Sequence, residues 1–274
     1  EEYPVKRNTY ILLVVVIALA FVLGACQKQT TESPEYPAPA EVEQPQEGYP
    51  AGGTIQVATD AAFWPFETVD ETTKEIVGFD IDLMNAIAEN QGLTVEWVNT
   101  PFDSVTAGVS TCQYDAAVAA ITITDERKEV MLFSQPYINA GQIVVVAIDN
   151  TDVNGVADLE GKTVAAQLGT TGEIEANKIA DVTYKPYDTY DLAFLDLVNG
   201  QVDAVIADYP TAYGFIGKNA DKLKAVGDVF TEESYGIAVC KDKPELLAKI
   251  DAGLQAIVAA GKVKELEDKW LVGQ

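Results

Sequence analysis

From Thr54 onward the chain alternates short apolar strands with amphipathic helices, and no other feature constrains its fold as tightly. The pattern predicts a strand over 54–59. A helix over 79–90 follows, with Phe79, Leu83, Met84, Ile87 and Ala88 on one face and Gly92 stopping it, and then a strand over 94–99. Asp103 is placed to cap a helix whose Val105 and Val109 face inward, ahead of a strand over 115–121. The second half repeats the scheme with strands over 162–167, 182–184 and 203–207 and helices over 171–179 and 188–198. Such alternation predicts an α/β protein whose strands are mostly parallel and connected by helical crossovers. The echo between QYDAAVAAI at 113–121 and QVDAVIADY at 201–209 predicts two equivalent lobes. Parallel sheets bind ligands at the carboxyl ends of their strands, so these two strand ends mark facing walls of one crevice. Residues 141–148 are expected to join the lobes and 234–239 to carry the chain back, giving two crossing strands and a hinge. A single terminal helix is expected over 244–270.

The N-terminal part reads differently. Lys6 and Arg7, an apolar run over 11–22 and then Leu23, Gly24, Ala25 and Cys26 form an export signal, too short for a membrane span. The tetrad ending at Cys26 resembles the bacterial lipobox, which implies that Cys26 carries lipid after cleavage and anchors the mature chain. Residues 27–53, with Pro34, Pro37, Pro39, Pro45 and Pro50 among glutamates, read as a disordered Pro/Glu-rich tether. The expected organisation is thus a lipoprotein signal peptide over 1–26, the tether, lobe one over 54–140 plus 235–274, and lobe two with hinge strands over 141–234.

A formal charge of −25 opposes contact with nucleic acid or an anionic membrane face, and favours cationic or zwitterionic partners. The chain has no histidine, which removes the usual general base, the Ser-His-Asp constellation and the commonest zinc ligand. Its three cysteines contain no Cys-x-x-Cys pair, so neither a metal nor a cofactor is expected. Cys112 and Cys240 fall on neighbouring antiparallel segments. A disulfide there is conceivable, but two separate buried thiols are the preferred reading.

Five motifs, VATDAAFWPFE at 57–67, GFDIDLMNAIA at 78–88, AAITITDERKEVMLFSQPY at 119–137, QLGTTGE at 167–173 and VDAVIAD at 202–208, resemble those of the periplasmic amino-acid-binding proteins of ABC importers. These are bacterial extracellular solute-binding proteins of family 3. The resemblance implies a type II periplasmic-binding-protein fold, two lobes joined by two crossing strands. It implies that Arg127 takes the ligand α-carboxylate with help from Thr122, Thr170 and Thr171, and that Asp208 and the carbonyl of Ala120 take the α-ammonium. It also implies that Phe63 and Phe102 sandwich the aliphatic stem, with Trp64 nearby. Asp60 and Gln167 would meet the side-chain tip. Independently of the resemblance, an arginine fork suits a carboxylate, and free N–H groups after the strand, Gly169 among them, suit an anion. Asp208 has a competing role, capping the helix that begins near Pro210.

Glutamine-binding relatives have lysine and histidine where this chain has Gln167 and Ala207. A basic amino acid is therefore the expected ligand, with neutral polar ones such as glutamine next and acidic ones disfavoured. The implied partners are an ABC permease and ATPase, and the implied product is a monomeric, non-enzymatic binding protein, outside the cytoplasm and lipid-anchored in periplasm or at the cell surface. Two alternatives remain open on the same scaffold. One is a cyclohexadienyl-type dehydratase running on carboxylates such as Asp60 or Glu173, and the other is an amino-acid sensor that works through a membrane kinase.

Overall fold

The computed structural model describes residues 52–271. The signal segment with Cys26, and the tether up to residue 51, lie outside the described residues.

Two five-stranded sheets share one topology. In the first, strands run in the order Thr94–Asn99, Thr54–Thr59, Ala116–Ala117, Ala238–Cys240, Met131–Phe133. In the second the order is Thr183–Tyr187, Thr163–Gln167, Ala204–Asp208, Gln142–Ala147, Leu223–Val226. The first three strands of each are parallel neighbours, and the fourth runs against both its neighbours. This is the two-lobed α/β architecture that the sequence pattern implies. Its symmetry explains the internal echo, because Ala116–Ala117 and Ala204–Asp208 hold the same place in the two sheets.

Helix Phe79–Gln91 buries the expected face, together with Asp80 and Ile81. It ends at Gly92, whose φ of 65° is the left-handed conformation that glycine reaches without a Cβ penalty, and the following Leu93 N–H closes back on the Ala88 carbonyl. Before the helix, Gly78 sits at φ 146° with no room for a Cβ beside the Phe66 carbonyl.

Several expectations change. Helix Phe102–Ser110 follows Pro101, so Asp103 lies in its first turn, where its carboxylate accepts from Ser104 N–H, and does not cap the helix. The segment 141–148 is not a joining strand. Gln142–Ala147 lies inside the second sheet, buried along almost its whole length, as its run of valines requires. The lobes are instead joined by Ile138–Ala140 paired antiparallel with Glu233–Tyr235. The expected returning strand divides there, and Ala238–Cys240 continues into the first sheet. The expected terminal helix is two helices, Pro244–Ala259 and Lys262–Trp270, broken at Gly261 with φ 76°.

Cys112 and Cys240 form a disulfide with Cα atoms 4.9 Å apart, which overturns the reading of two separate thiols. Cys112 adopts φ 58°, and this turn after helix Phe102–Ser110 aims its side chain at the strand end. Spacing along the chain carries no trace of such a turn. No helix among the described residues is long and apolar enough to cross a membrane.

Candidate functional site

The carboxyl ends of the two sheets meet around a small cavity of about 10 Å³. Eight of the ten residues anticipated for a ligand site line it: Phe63, Phe102, Ala120, Thr122 and Arg127 from one lobe, and Thr170, Thr171 and Asp208 from the other. Asp60 and Gln167 are not among the lining residues. They are buried next to Phe102 and Thr170, and Gln167 Nε2 donates to Asp60 Oδ2 at 2.7 Å.

Arg127 belongs to the short helix Asp125–Val130, where Thr124 caps the turn by accepting the Arg127 N–H at 3.1 Å. Its guanidinium donates from Nη1 to the Thr122 carbonyl at 2.7 Å and from Nη2 across the cleft to the Gly169 carbonyl at 2.9 Å. The Phe102 ring lies 5.5 Å beneath it. Two of its five N–H groups are engaged in this way, so three donors remain for an anion. Burial lowers its pKa below the ordinary guanidinium value, against the fields of Asp208, Glu233 and Glu126, which raise it. The cation is therefore held by acids without being neutralised by a paired carboxylate at salt-bridge distance, and among the described residues no ion pair includes it.

Asp208 ends the strand Ala204–Asp208 and stands at the N-cap of helix Tyr209–Lys218, yet makes no capping bond. The competing structural role therefore fails. It is 3% exposed and its Oδ1 has no hydrogen-bond partner. Burial, and after it the Glu233 charge, push its pKa up to about 7, against the Tyr235 hydroxyl and Arg127, which lower it. A buried carboxyl with an unused acceptor is costly unless a donor arrives.

Gly169 does not supply a free N–H. That group donates to Glu173 Oε2 at 2.6 Å, and the residue offers its carbonyl to Arg127 instead. Thr170 caps the helix Thr171–Asn177, its Oγ1 donating to the Gln167 carbonyl at 2.7 Å and accepting from Glu173 N–H. Ala120 is held at φ 46° with its N–H donated to Asp80 Oδ2 at 2.7 Å. Trp64, expected near the ligand stem, faces elsewhere: its ring packs against Trp270 at 5.8 Å and under Lys218 Nζ at 3.9 Å.

The buried Asp60 carboxyl is pushed up to about 6 by desolvation, lowered by Gln167 and the Phe102 backbone, and raised further by Asp103 and Asp191. This end of the site is an acid field.

Sequence reasoning missed Gln142 and Glu233. Gln142, fully buried at the start of its strand, donates from Nε2 to Thr171 Oγ1 at 3.0 Å. Glu233 starts the returning hinge strand and accepts from both Thr122 and Thr171. The available signal was the hinge segment itself, which the sequence reading began one residue later, at 234.

Residues 55–273 match the bacterial extracellular solute-binding proteins, family 3. The chain belongs to this family. Among curated relatives, the family 3 chain is 34% identical over 226 residues to the putative ABC transporter arginine-binding protein 2 of Escherichia coli K12, covering 80% of this chain and 91% of that one. Among solved structures, an ancestral arginine-binding protein bound to arginine superposes with a TM-score of 0.77 at 40% identity, covering 80% of this chain and 99% of the other. The arginine-, lysine-, histidine-binding protein ArtJ of Geobacillus stearothermophilus superposes with a TM-score of 0.76 at 38% identity, covering 81% and 96%.

Proposed function

We propose that this family 3 chain is the substrate-binding protein of an ABC-type amino-acid importer, and that it captures a basic amino acid between its lobes. One observation carries the reading: a guanidinium from one lobe and an unsatisfied buried carboxyl from the other line the same small cavity. A free α-amino acid is the small molecule whose two poles satisfy both at once. Losing either pole leaves a buried charged group unpaired, a penalty of about 1 to 3 kcal/mol or more.

The preference for a basic side chain is supported by the acid field of Asp60, Asp103 and Asp191, which a cationic tip would relieve. It is supported also by relatives that carry arginine in their names. On this reading Phe63 and Phe102 flank the stem, Ala120 and Asp208 hold the ammonium, Arg127 with the backbone of Thr170 and Thr171 holds the carboxylate, and Asp60 with Gln167 reads the tip.

The test is a thermal-shift screen against the twenty amino acids and ornithine. L-Arginine is expected to raise the melting temperature, and Arg127→Ala to abolish the shift. Unchanged affinity in that variant would overturn the assignment.

We further propose that the protein is no enzyme. The one feature favouring the dehydratase alternative is the raised pKa of Asp60, suited to a general acid. Against it, Glu173 is committed to the Gly169 N–H and Asp60 to Gln167. Turnover of a cyclohexadienyl acid without amino-acid binding would reverse the choice. Residues 1–26 are read as the signal peptide, Cys26 as a lipidated anchor and 27–53 as the tether, with a monomer working outside the cytoplasm beside its permease and ATPase. Loss of membrane retention and of radiolabelled palmitate in Cys26→Ser tests the anchor.

A further inference from the structure

Glu233 lies on neither sheet. It belongs to the ribbon that joins the lobes, paired opposite Ala140, and its side chain reaches Thr122 and Thr171, two of the residues that line the cavity. Its Oε2 accepts from Thr122 Oγ1 at 3.0 Å on one side and from Thr171 Oγ1 at 2.8 Å on the other, with Gln142 Nε2 at 3.4 Å. Its Oε1 accepts from Thr231 Oγ1 at 2.7 Å, which fixes the carboxylate plane. One oxygen atom is thus the point where the first lobe, the second lobe and the hinge converge. Bonds to an ionised acceptor are roughly twice as strong as neutral ones, so this convergence holds the lobes in their present approach.

The protons matter as much as the distances. A threonine hydroxyl has one proton to give. Thr122 and Thr171 both give theirs to Glu233, and Thr171 Oγ1 also accepts from Gln142. What the Thr122 hydroxyl turns toward the cavity is then a lone pair. A lone pair suits an ammonium and repels a carboxylate, so the carboxylate role that resemblance assigns to Thr122 does not fall to this hydroxyl.

We propose that Glu233 is a positioning residue for the amino-acid site: a hinge-borne carboxylate that latches Thr122 to Thr171 across the crevice and makes the Thr122 hydroxyl an acceptor toward the ligand. The role in binding rests on the function proposed above, while the latch between the lobes does not.

The experiment separates the two. Calorimetry of the full chain with L-arginine is run on wild type, Glu233→Ala, Glu233→Gln, the double variant Thr122→Val/Thr171→Val, and the triple variant combining the last with Glu233→Ala. Glu233→Ala is expected to weaken binding about tenfold or more, the scale of a lost charge-assisted bond. Glu233→Gln, which keeps one acceptor oxygen, should recover part of that loss. In the Thr122→Val/Thr171→Val background, removing Glu233 should change affinity less than about twofold, because its partners are gone. Additive losses would mean a merely structural glutamate, and wild-type affinity in Glu233→Ala would mean no role; either overturns the proposal.

Small-angle scattering without added amino acid reads the latch by itself. Glu233→Ala should show a larger radius of gyration than wild type, and an unchanged radius would overturn the latch. Were the wild type to bind no amino acid at all, the proposed function would fall, and the scattering comparison would still decide whether Glu233 holds the lobes together.

Discussion

Gln167 Nε2 donates to Asp60 Oδ2 at 2.7 Å, tying the last residue of a strand in one lobe to the residue that follows a strand in the other. Neither residue lines the cavity directly, yet the acid they hold dominates the field at that end.

That pairing predicts how selectivity is distributed. Asp60→Asn should weaken L-arginine binding about tenfold or more, the scale of one charge-assisted bond, and change L-glutamine binding far less. Calorimetry with the two ligands checks the difference. Equal losses would show that Asp60 does not sense the side-chain tip.

Acidity should act in two opposite ways. Asp208 and Asp80 are raised to about 7 and Asp60 to about 6 by burial, whereas an unfolded aspartate titrates near 3.9. Between about pH 4 and 7 the folded chain holds more protons than the unfolded one, so stability from these groups falls as pH rises through that window. Asp70 and Asp196, lowered by hydrogen bonds, lose their contribution only as pH falls below the ordinary carboxylate range. Without added amino acid, the melting temperature should therefore be higher at about pH 5.5 than at 7.5.

Ligand binding should show the reverse. An ammonium favours the ionised form of Asp208, so binding at pH 6 should release a proton, and affinity should fall by up to about tenfold per unit below pH 7. Calorimetry at pH 6 in two buffers of different ionisation enthalpy measures the proton. Zero release would mean that Asp208 does not meet the ammonium.

The Cys112–Cys240 bridge spans 128 residues of sequence. Cross-links closing loops of that size contribute about 2 to 5 kcal/mol by restricting the unfolded chain. Reduction, or the Cys112→Ser/Cys240→Ser variant, should lower the melting temperature by about 10 °C. An unchanged transition in scanning calorimetry would show that the bridge does not restrain the unfolded ensemble.

Gly78→Ala should destabilise by at least about 2 kcal/mol, since it combines φ 146° with a clash against the Phe66 carbonyl. Urea denaturation measures the loss.

The α/β alternation and the two lobes were legible because period and burial agree in Phe79–Gln91 and in the strands around it. Eight lining residues were legible because the motifs that carry them resemble those of the amino-acid-binding family; residue type alone would have left Phe63 and Phe102 in the core. What stayed hidden depended on geometry that no period encodes. Gln142–Ala147 reads as an apolar run whether it crosses between lobes or fills a sheet, and only its neighbours decide. Glu233 is one acid among many in a chain of charge −25, and its importance comes from a pairing with Ala140, far from it in sequence. The left-handed turn at Cys112 likewise has no glycine to announce it.

The strand Ala238–Cys240 sits between Ala116–Ala117 and Met131–Phe133, whereas every strand of the other sheet comes from the contiguous stretch 142–226. As the chain emerges in sequence order, the sheet of the later-made lobe has all its strands first, and the earlier-made one waits with a gap until Ala238–Cys240 arrives. Between the two lobes, order of synthesis and order of completion are inverted.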